Sequence, residues 1–131
     1  MRLLLDTHVA LWAITGDARL PETIQALIAD PANSISVSAA SVWEIAIKHA
    51  LGRGGPGAMP IGGAQASAYF RASGYGLLSV SADHAAAVET LPPVHADPFD
   101  RLLVAQAAHE AMSLVTHDSK LGAYGGMVVV F

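Results

Sequence analysis

Apolar positions along this chain fall into two textures: short apolar-rich runs, of which Leu3-Leu4-Leu5 and 127–130 are continuous, and longer stretches spaced three or four residues apart. The runs are Leu3-Leu4-Leu5, Ile35 to Val37, 77–80, 113–116 and 127–130. A short continuous apolar run bounded by turn residues fits a strand covered on both faces, as in a parallel sheet. The spaced stretches lie between the runs. Val9, Leu11, Trp12 and Ile14 continue at helical spacing until Gly16. Ile24, Leu27 and Ile28 follow Pro21 and end near Asp30-Pro31. Trp43, Ile47, Ala50 and Leu51 make one stripe, widened by Val42, Ile45 and Ala46, and Gly52 stops it. Residues 63–73 form a further helical stretch carrying Ala64, Ala68 and Tyr69, broken at 74–76. Ala85, Val88 and Leu91 follow Ser81 and end at Pro92-Pro93, and Leu102, Leu103, Gln106 and Ala107 run to about Met112. Alternating strands and helices predict an α/β fold with a central parallel sheet of about five strands. With no repeat and no linker, residues 1–131 read as one domain.

The punctuation between elements is where the acids lie. Asp6 follows the first run, and Asp118 lies just past the fourth. Asp97-Pro98 opens the last helix, since an Asp N-cap with Pro at the first helical position is a strong start signal. Asp100 then falls in the first turn, where the helix dipole tolerates negative charge. Ser38 or Ser41 caps the third helix, and Glu44 stands near its start. Local explanations exist for each acid: an N-cap for Asp6, a capping box with Ser41 or an i,i+4 pair with Lys48 for Glu44. In a parallel sheet, however, strand C-termini and helix N-termini share one edge, where sites form. Asp6, Glu44, Asp100 and Asp118 are therefore expected to converge there.

Composition narrows the chemistry. Hydrophobic residues make up 53% of the 131 residues and charged residues 14%, which excludes disorder and leaves apolar surface for a partner. There is no cysteine, so disulfides and thiolate zinc sites are out; a reducing cytoplasm fits. No apolar run approaches the roughly 18 residues of a membrane span, and the opening residues read as a buried strand rather than a signal segment. A net charge of −4 argues against bulk electrostatic capture of nucleic acid but not against meeting phosphate through a cation. Converging carboxylates repel unless a cation joins them. Hard oxygen donors favour Mg²⁺ or Mn²⁺, and metal-assisted attack of water on a phosphodiester suits such a cluster. His8, His49, His84, His95, His109 and His117 show no zinc spacing and read as surface or supporting residues. No Gly-x-Ser-x-Gly elbow and no phosphate loop is present; the Gly-rich stretch 51–63, with Arg53 beside Lys48, reads as a surface loop.

Four stretches in order, LLLDTHVALWAI (3–14), ISVSAASVWEIAIKHALG (35–52), LPPVHADPFDRLLVAQA (91–107) and LVTHD (114–118), resemble PIN-domain ribonucleases, specifically VapC-type toxins of toxin–antitoxin pairs. The resemblance implies a PIN-like three-layer sandwich, with the parallel sheet flanked by helices. It implies a Mg²⁺- or Mn²⁺-dependent endoribonuclease with catalytic and metal-binding roles on Asp6, Glu44, Asp100 and Asp118. Thr7 and Thr116 would stand behind them as hydroxyl neighbours, with Asp97 in support as the helix cap. An RNA substrate, a homodimer and neutralisation by a VapB-like antitoxin also follow. Helices bearing Val9, Leu11, Trp12, Ile45 and Ile47 are expected to supply the apolar surface for those partners. Two other readings compete. A haloacid-dehalogenase-like phosphatase also begins with a strand ending in Asp, but its second Asp would stand where this chain has His8. A non-enzymatic signalling module with an acidic metal pocket would need a mid-sheet phosphoacceptor and a suitable Lys, for which Lys120 is the only candidate.

Overall fold

The computed structural model describes residues 1–52 and 59–131. Residues 53–58 of the expected 51–63 loop, Arg53 among them, thus lie outside the described residues. Five strands, β1 (Arg2–Leu5), β2 (Ser34–Ser38), β3 (Gly76–Leu78), β4 (Ser113–Thr116) and β5 (Val128–Val130), form one sheet in the order β3-β2-β1-β4-β5. Every neighbouring pair is parallel. Parallel neighbours require crossovers, and α-helices fill all but the one from β4 to β5: α1 (Thr7–Thr15), α2 (Glu22–Ala29), α3 (Ala39–Ala50), α4 (Gly63–Ala72), α5 (Ala82–Ala87) and α6 (Pro98–Glu110).

Helices covering both faces explain the unbroken apolar run of β1. Leu3 and Leu5 pack with Val9, Leu11, Trp12, Ile45 and Phe70 on one side of the sheet. Leu4 points the other way, against Leu103, Val104, Ala107 and Leu121. The alternation of side chains along a strand makes both cores from three consecutive leucines. Burying a leucine side chain is worth about 1.5–3 kcal/mol, so β1 anchors both layers.

Several local expectations are corrected. The third strand is Gly76–Leu78 rather than 77–80, and Val80 is exposed beyond it. The helix after Ser81 ends at Ala87 and continues as a 3-10 turn, Val88–Thr90. Residues 119–124 also form 3-10 structure before the last strand. In α3 the cap is Ser38, which accepts the Ala40 N–H; Ser41 lies inside the helix and makes no capping box with Glu44. The stripe of Trp43, Ile47 and Leu51 faces outward, with Trp43 61% and Leu51 57% exposed, while Ser41, Glu44 and Ile45 are buried. Val9, Leu11, Trp12 and Ile45 are core residues and offer no free surface. Ile47 alone of that set is exposed.

Candidate metal centre

Because β1 is followed to one side by β2 and to the other by β4, the chain reverses direction across the sheet between β1 and β4. Crevices at such a switch point, outside the strand C-termini, are where open α/β sheets bind ligands. Asp6 follows β1, and Thr116 and Asp118 end and follow β4. Ser38 ends β2 and caps α3, bringing Ser41 and Glu44 to the same edge.

Asp6 does two things at once. Its Oδ1 accepts the Val9 N–H at 3.0 Å as the N-cap of α1, and its Oδ2 accepts a short hydrogen bond from the Thr116 hydroxyl. Thr116 Oγ1 in turn accepts the Asp118 N–H at 3.0 Å, so one hydroxyl joins the two acids. Asp6 is only 8% exposed, and burial raises its pKa against the lowering effect of those hydrogen bonds and of His8.

Glu44 is 5% exposed. Its Oε1 accepts the Thr7 hydroxyl at 2.7 Å, and its Oε2 pairs with Lys48 Nζ at 2.6 Å. Thr7 has one hydroxyl proton, which the carboxylate takes; the Ser41 hydroxyl, 2.9 Å away, is then placed to donate to Thr7. The i,i+4 pair with Lys48 is therefore present, but it is half-buried and belongs to the pocket wall.

Asp97 caps α6 by accepting the N–H groups of Phe99 at 2.8 Å and Asp100 at 3.2 Å. That cap aims the first turn so that Asp100 enters the pocket. Burial pushes the Asp100 pKa up to about 7, helped by the negative charges of Asp97, Asp6 and Glu44 and opposed by His95. Asp118 behaves oppositely. Burial raises its pKa, but hydrogen bonds from His95 and the Lys120 N–H, with their charges, outweigh burial and hold the carboxyl below its usual range.

The structure thus gathers Asp6, Glu44, Asp100 and Asp118 at one edge, with Thr7, Thr116 and Asp97 directly behind them. It also adds a residue that the sequence pattern did not single out. His95 Nε2 is 2.8 Å from Asp118 Oδ2 and 3.6 Å from Asp100 Oδ2, and the three groups can approach a common point. The available signal was its spacing: two residues before an N-cap, a histidine ring can accept that cap's own N–H, as His95 Nδ1 does from Asp97 at 3.1 Å.

An all-oxygen acid set, with one carboxyl held far above its ordinary pKa by burial and secondarily by neighbouring acids, fits a hard divalent cation. Neutralisation by such an ion removes the repulsion that protonation otherwise relieves. A second cluster, His84, His109 and Glu110, does not fit. His84 Nδ1 accepts the Ser81 N–H at 3.0 Å, so Nε2 carries the proton that it gives to Glu110 at 2.9 Å. Its ring closes the capping box of α5 and has no lone pair free toward Glu110.

Comparison with known proteins bears on the fold. Among solved structures, the chain is similar to one in the VapBC2 complex of Rickettsia felis bound to a promoter DNA fragment. The TM-score is 0.66 at 17% identity, covering 100% of this chain and 98% of that one. It is also similar to a chain of a toxin-antitoxin complex from Klebsiella pneumoniae, with TM-score 0.66, 22% identity, and 98% and 96% covered. A chain of FitAB bound to an IR36 DNA fragment gives TM-score 0.61 at 17% identity, with 98% and 94% covered. At these identities the likeness is one of fold. No curated protein matches the chain. The sequence profile of the PIN domain matches residues 3–126, nearly the whole chain with all four acids inside the match, and this chain belongs to the PIN domain family.

Proposed function

We propose that the protein is a divalent-metal-dependent endoribonuclease, the toxin of a VapC-type toxin–antitoxin pair. The observation that carries this reading is Asp100: a carboxyl at the switch point of a PIN-family sheet, raised to about 7 by burial first and then by the charges of Asp97, Asp6 and Glu44 beside it. Asp6, Glu44, Asp100 and Asp118 would hold Mg²⁺ or Mn²⁺. The chemistry such an ion supplies is charge neutralisation at a phosphodiester and acidification of water.

The chain's own residues prepare the rest. Thr116 fixes one oxygen of Asp6, and the Val9 N–H fixes the other, so the Asp6 carboxylate cannot rotate. Thr7 and Lys48 do the same for Glu44. Asp100 is left as the acid without such anchors among the described residues; its contact with His95 at 3.6 Å is too long for a hydrogen bond. It is therefore the group free to take up charge as the site fills. RNA as the substrate rests on the VapC-like motifs, DPFDR and WEI above all.

The competing readings lose ground on geometry. The position two residues after Asp6 is His8, which is exposed, where the phosphatase mechanism requires an acid. The sheet order β3-β2-β1-β4-β5 differs from the 2-1-3-4-5 order of receiver-like signalling modules.

For the partners, the similar structures come from toxin–antitoxin complexes, which supports an antitoxin for this chain. We assign the antitoxin helix to a groove of mixed polarity lined by Gly16, Gln25, Ala29, Ser73 and Tyr75, with a volume of about 320 Å³. The homodimer reading rests on the exposed face of α3, where Trp43, Ile47 and Leu51 stand one turn apart and Phe99 packs edge-on to Trp43 at 5.3 Å.

Chelation tests the enzymatic part. Purified protein incubated with single-stranded RNA should lose cleavage in EDTA and regain it with Mg²⁺ or Mn²⁺. Cleavage that persists through exhaustive chelation rules this mechanism out.

A further inference from the structure

The nuclease reading leaves His95 without a role, yet its ring is held from three directions. From behind, Arg101 ties down the segment that carries it: Nη1 donates to the carbonyls of Pro92 at 3.1 Å and His95 at 3.5 Å and contacts the Tyr124 hydroxyl at 3.2 Å. Its Nη2 donates to the Val88 carbonyl at 3.1 Å. From the side, the Asp97 N–H donates to Nδ1. In front, Nε2 faces Asp118 at 2.8 Å and Asp100 at 3.6 Å.

The Asp97 N–H decides what the ring can do. A neutral imidazole has one donor and one acceptor nitrogen. With Nδ1 accepting, Nε2 carries the proton and offers no lone pair to a metal, so His95 is a donor to Asp118 rather than a ligand beside it. Asp118 needs such a donor. It is the most exposed of the four acids and is otherwise oriented by the Lys120 N–H on its other oxygen and by the turn that follows β4. His95 precedes α6, the helix of Asp100, and reaches across to Asp118 on the far side of the crevice.

We infer that His95 is a positioning residue: braced by Arg101 and by the Asp97 N–H, it donates Nε2–H to Asp118 and fixes the spacing between Asp118 and Asp100 at which the site takes its divalent cation. This inference rests on the nuclease reading of the acid edge. Carboxylate ligands held by hydrogen bonds keep their orientation when the ion leaves, and losing such a bond typically weakens metal binding by roughly 10–100-fold.

The test is Mn²⁺ titration by calorimetry into metal-free wild type, His95→Ala and His95→Gln, without RNA. His95→Ala should weaken Mn²⁺ by at least about tenfold. His95→Gln, whose amide N–H can occupy the place of Nε2–H, should recover most of that loss. With RNA, the Mn²⁺ concentration for half-maximal cleavage should rise in His95→Ala while KM for RNA at saturating Mn²⁺ stays put. Nitrogen-15 shifts of the wild-type ring, metal-free and at alkaline pH, should report a protonated Nε2 and a bare Nδ1, a readout that needs no variant to fold. Equal Mn²⁺ affinity in wild type and His95→Ala overturns the inference alone, as does the opposite tautomer or spin-echo evidence of a nitrogen bonded to Mn²⁺. A wild type that binds no Mn²⁺ overturns the nuclease reading and takes this inference with it.

Discussion

Asp100 stands where two requirements of the pocket oppose each other. The cap at Asp97 and the helix N-terminus favour an acid there, while burial and three neighbouring acids resist its ionisation. Its pKa rises from 3.8 to about 7, which has a definite sign for stability. Below pH 3.8 the group is protonated in both folded and unfolded chains and contributes nothing. Between about 4 and 7 the unfolded chain has lost a proton that the folded one retains, so metal-free stability falls as pH rises through that window. The expected outcome is a melting temperature that declines from pH 4 to 7 in EDTA, with a smaller decline in Asp100→Asn and a reversal on adding Mn²⁺. A decline of equal size in wild type and variant would remove Asp100 as its source. Thr7 supports the neighbouring acid in a different way. Thr7→Val keeps the shape but leaves Glu44 Oε1 buried without its donor, a cost of about 1–3 kcal/mol that urea unfolding can measure.

Among the elements, α3 carries Glu44 with Ser41 and Lys48 beside it, and α4 packs against it through a glycine. A Cβ placed on Gly63 would lie 2.8 Å from Ala46 Cβ and 3.1 Å from the Val42 carbonyl. Gly63→Ala should therefore push α4 off α3 and destabilise the protein by about 1–3 kcal/mol, as overpacking does. A variant as stable as wild type would show that the two helices are not held this tightly. The same helix shows what the sequence could and could not disclose. The five strands were legible because short runs rich in Leu, Ile and Val, continuous at Leu3-Leu4-Leu5 and at 127–130, alternate with stretches of helical spacing. Acids at strand ends were legible because the edge they share follows from the topology. The facing of α3 was not. Helical periodicity finds a stripe of Trp43, Ile47 and Leu51, but burial of Ser41, Glu44 and Ile45 is decided by the pocket that they build, so the polar side turned inward. The third strand ends early because its partner β2 ends at Ser38, paired with Leu78, leaving Val80 nothing to pair with. His95 stayed hidden because its role depends on Asp118, twenty-three positions away.

At the scale of the whole molecule, the outward stripe on α3 takes over the part that buried residues were expected to play. If it joins two copies, Trp43→Glu with Ile47→Glu should give a monomer by light scattering at micromolar concentration. The melting transition should change little once dimer loss is allowed for, because both side chains are exposed within the protomer. A wild-type chain that is already monomeric would remove this surface as a dimer contact. One measurement bears on the acid edge more directly than any other. It is single-turnover cleavage of RNA with Mn²⁺ by purified wild type and Asp100→Asn, alongside their melting curves. The nuclease reading predicts that the variant folds as well as wild type or slightly better, since one repelling charge is gone. Cleavage should fall by more than the roughly 10–100-fold typical of a residue one step behind a metal ligand. Full cleavage by a well-folded Asp100→Asn protein would contradict it.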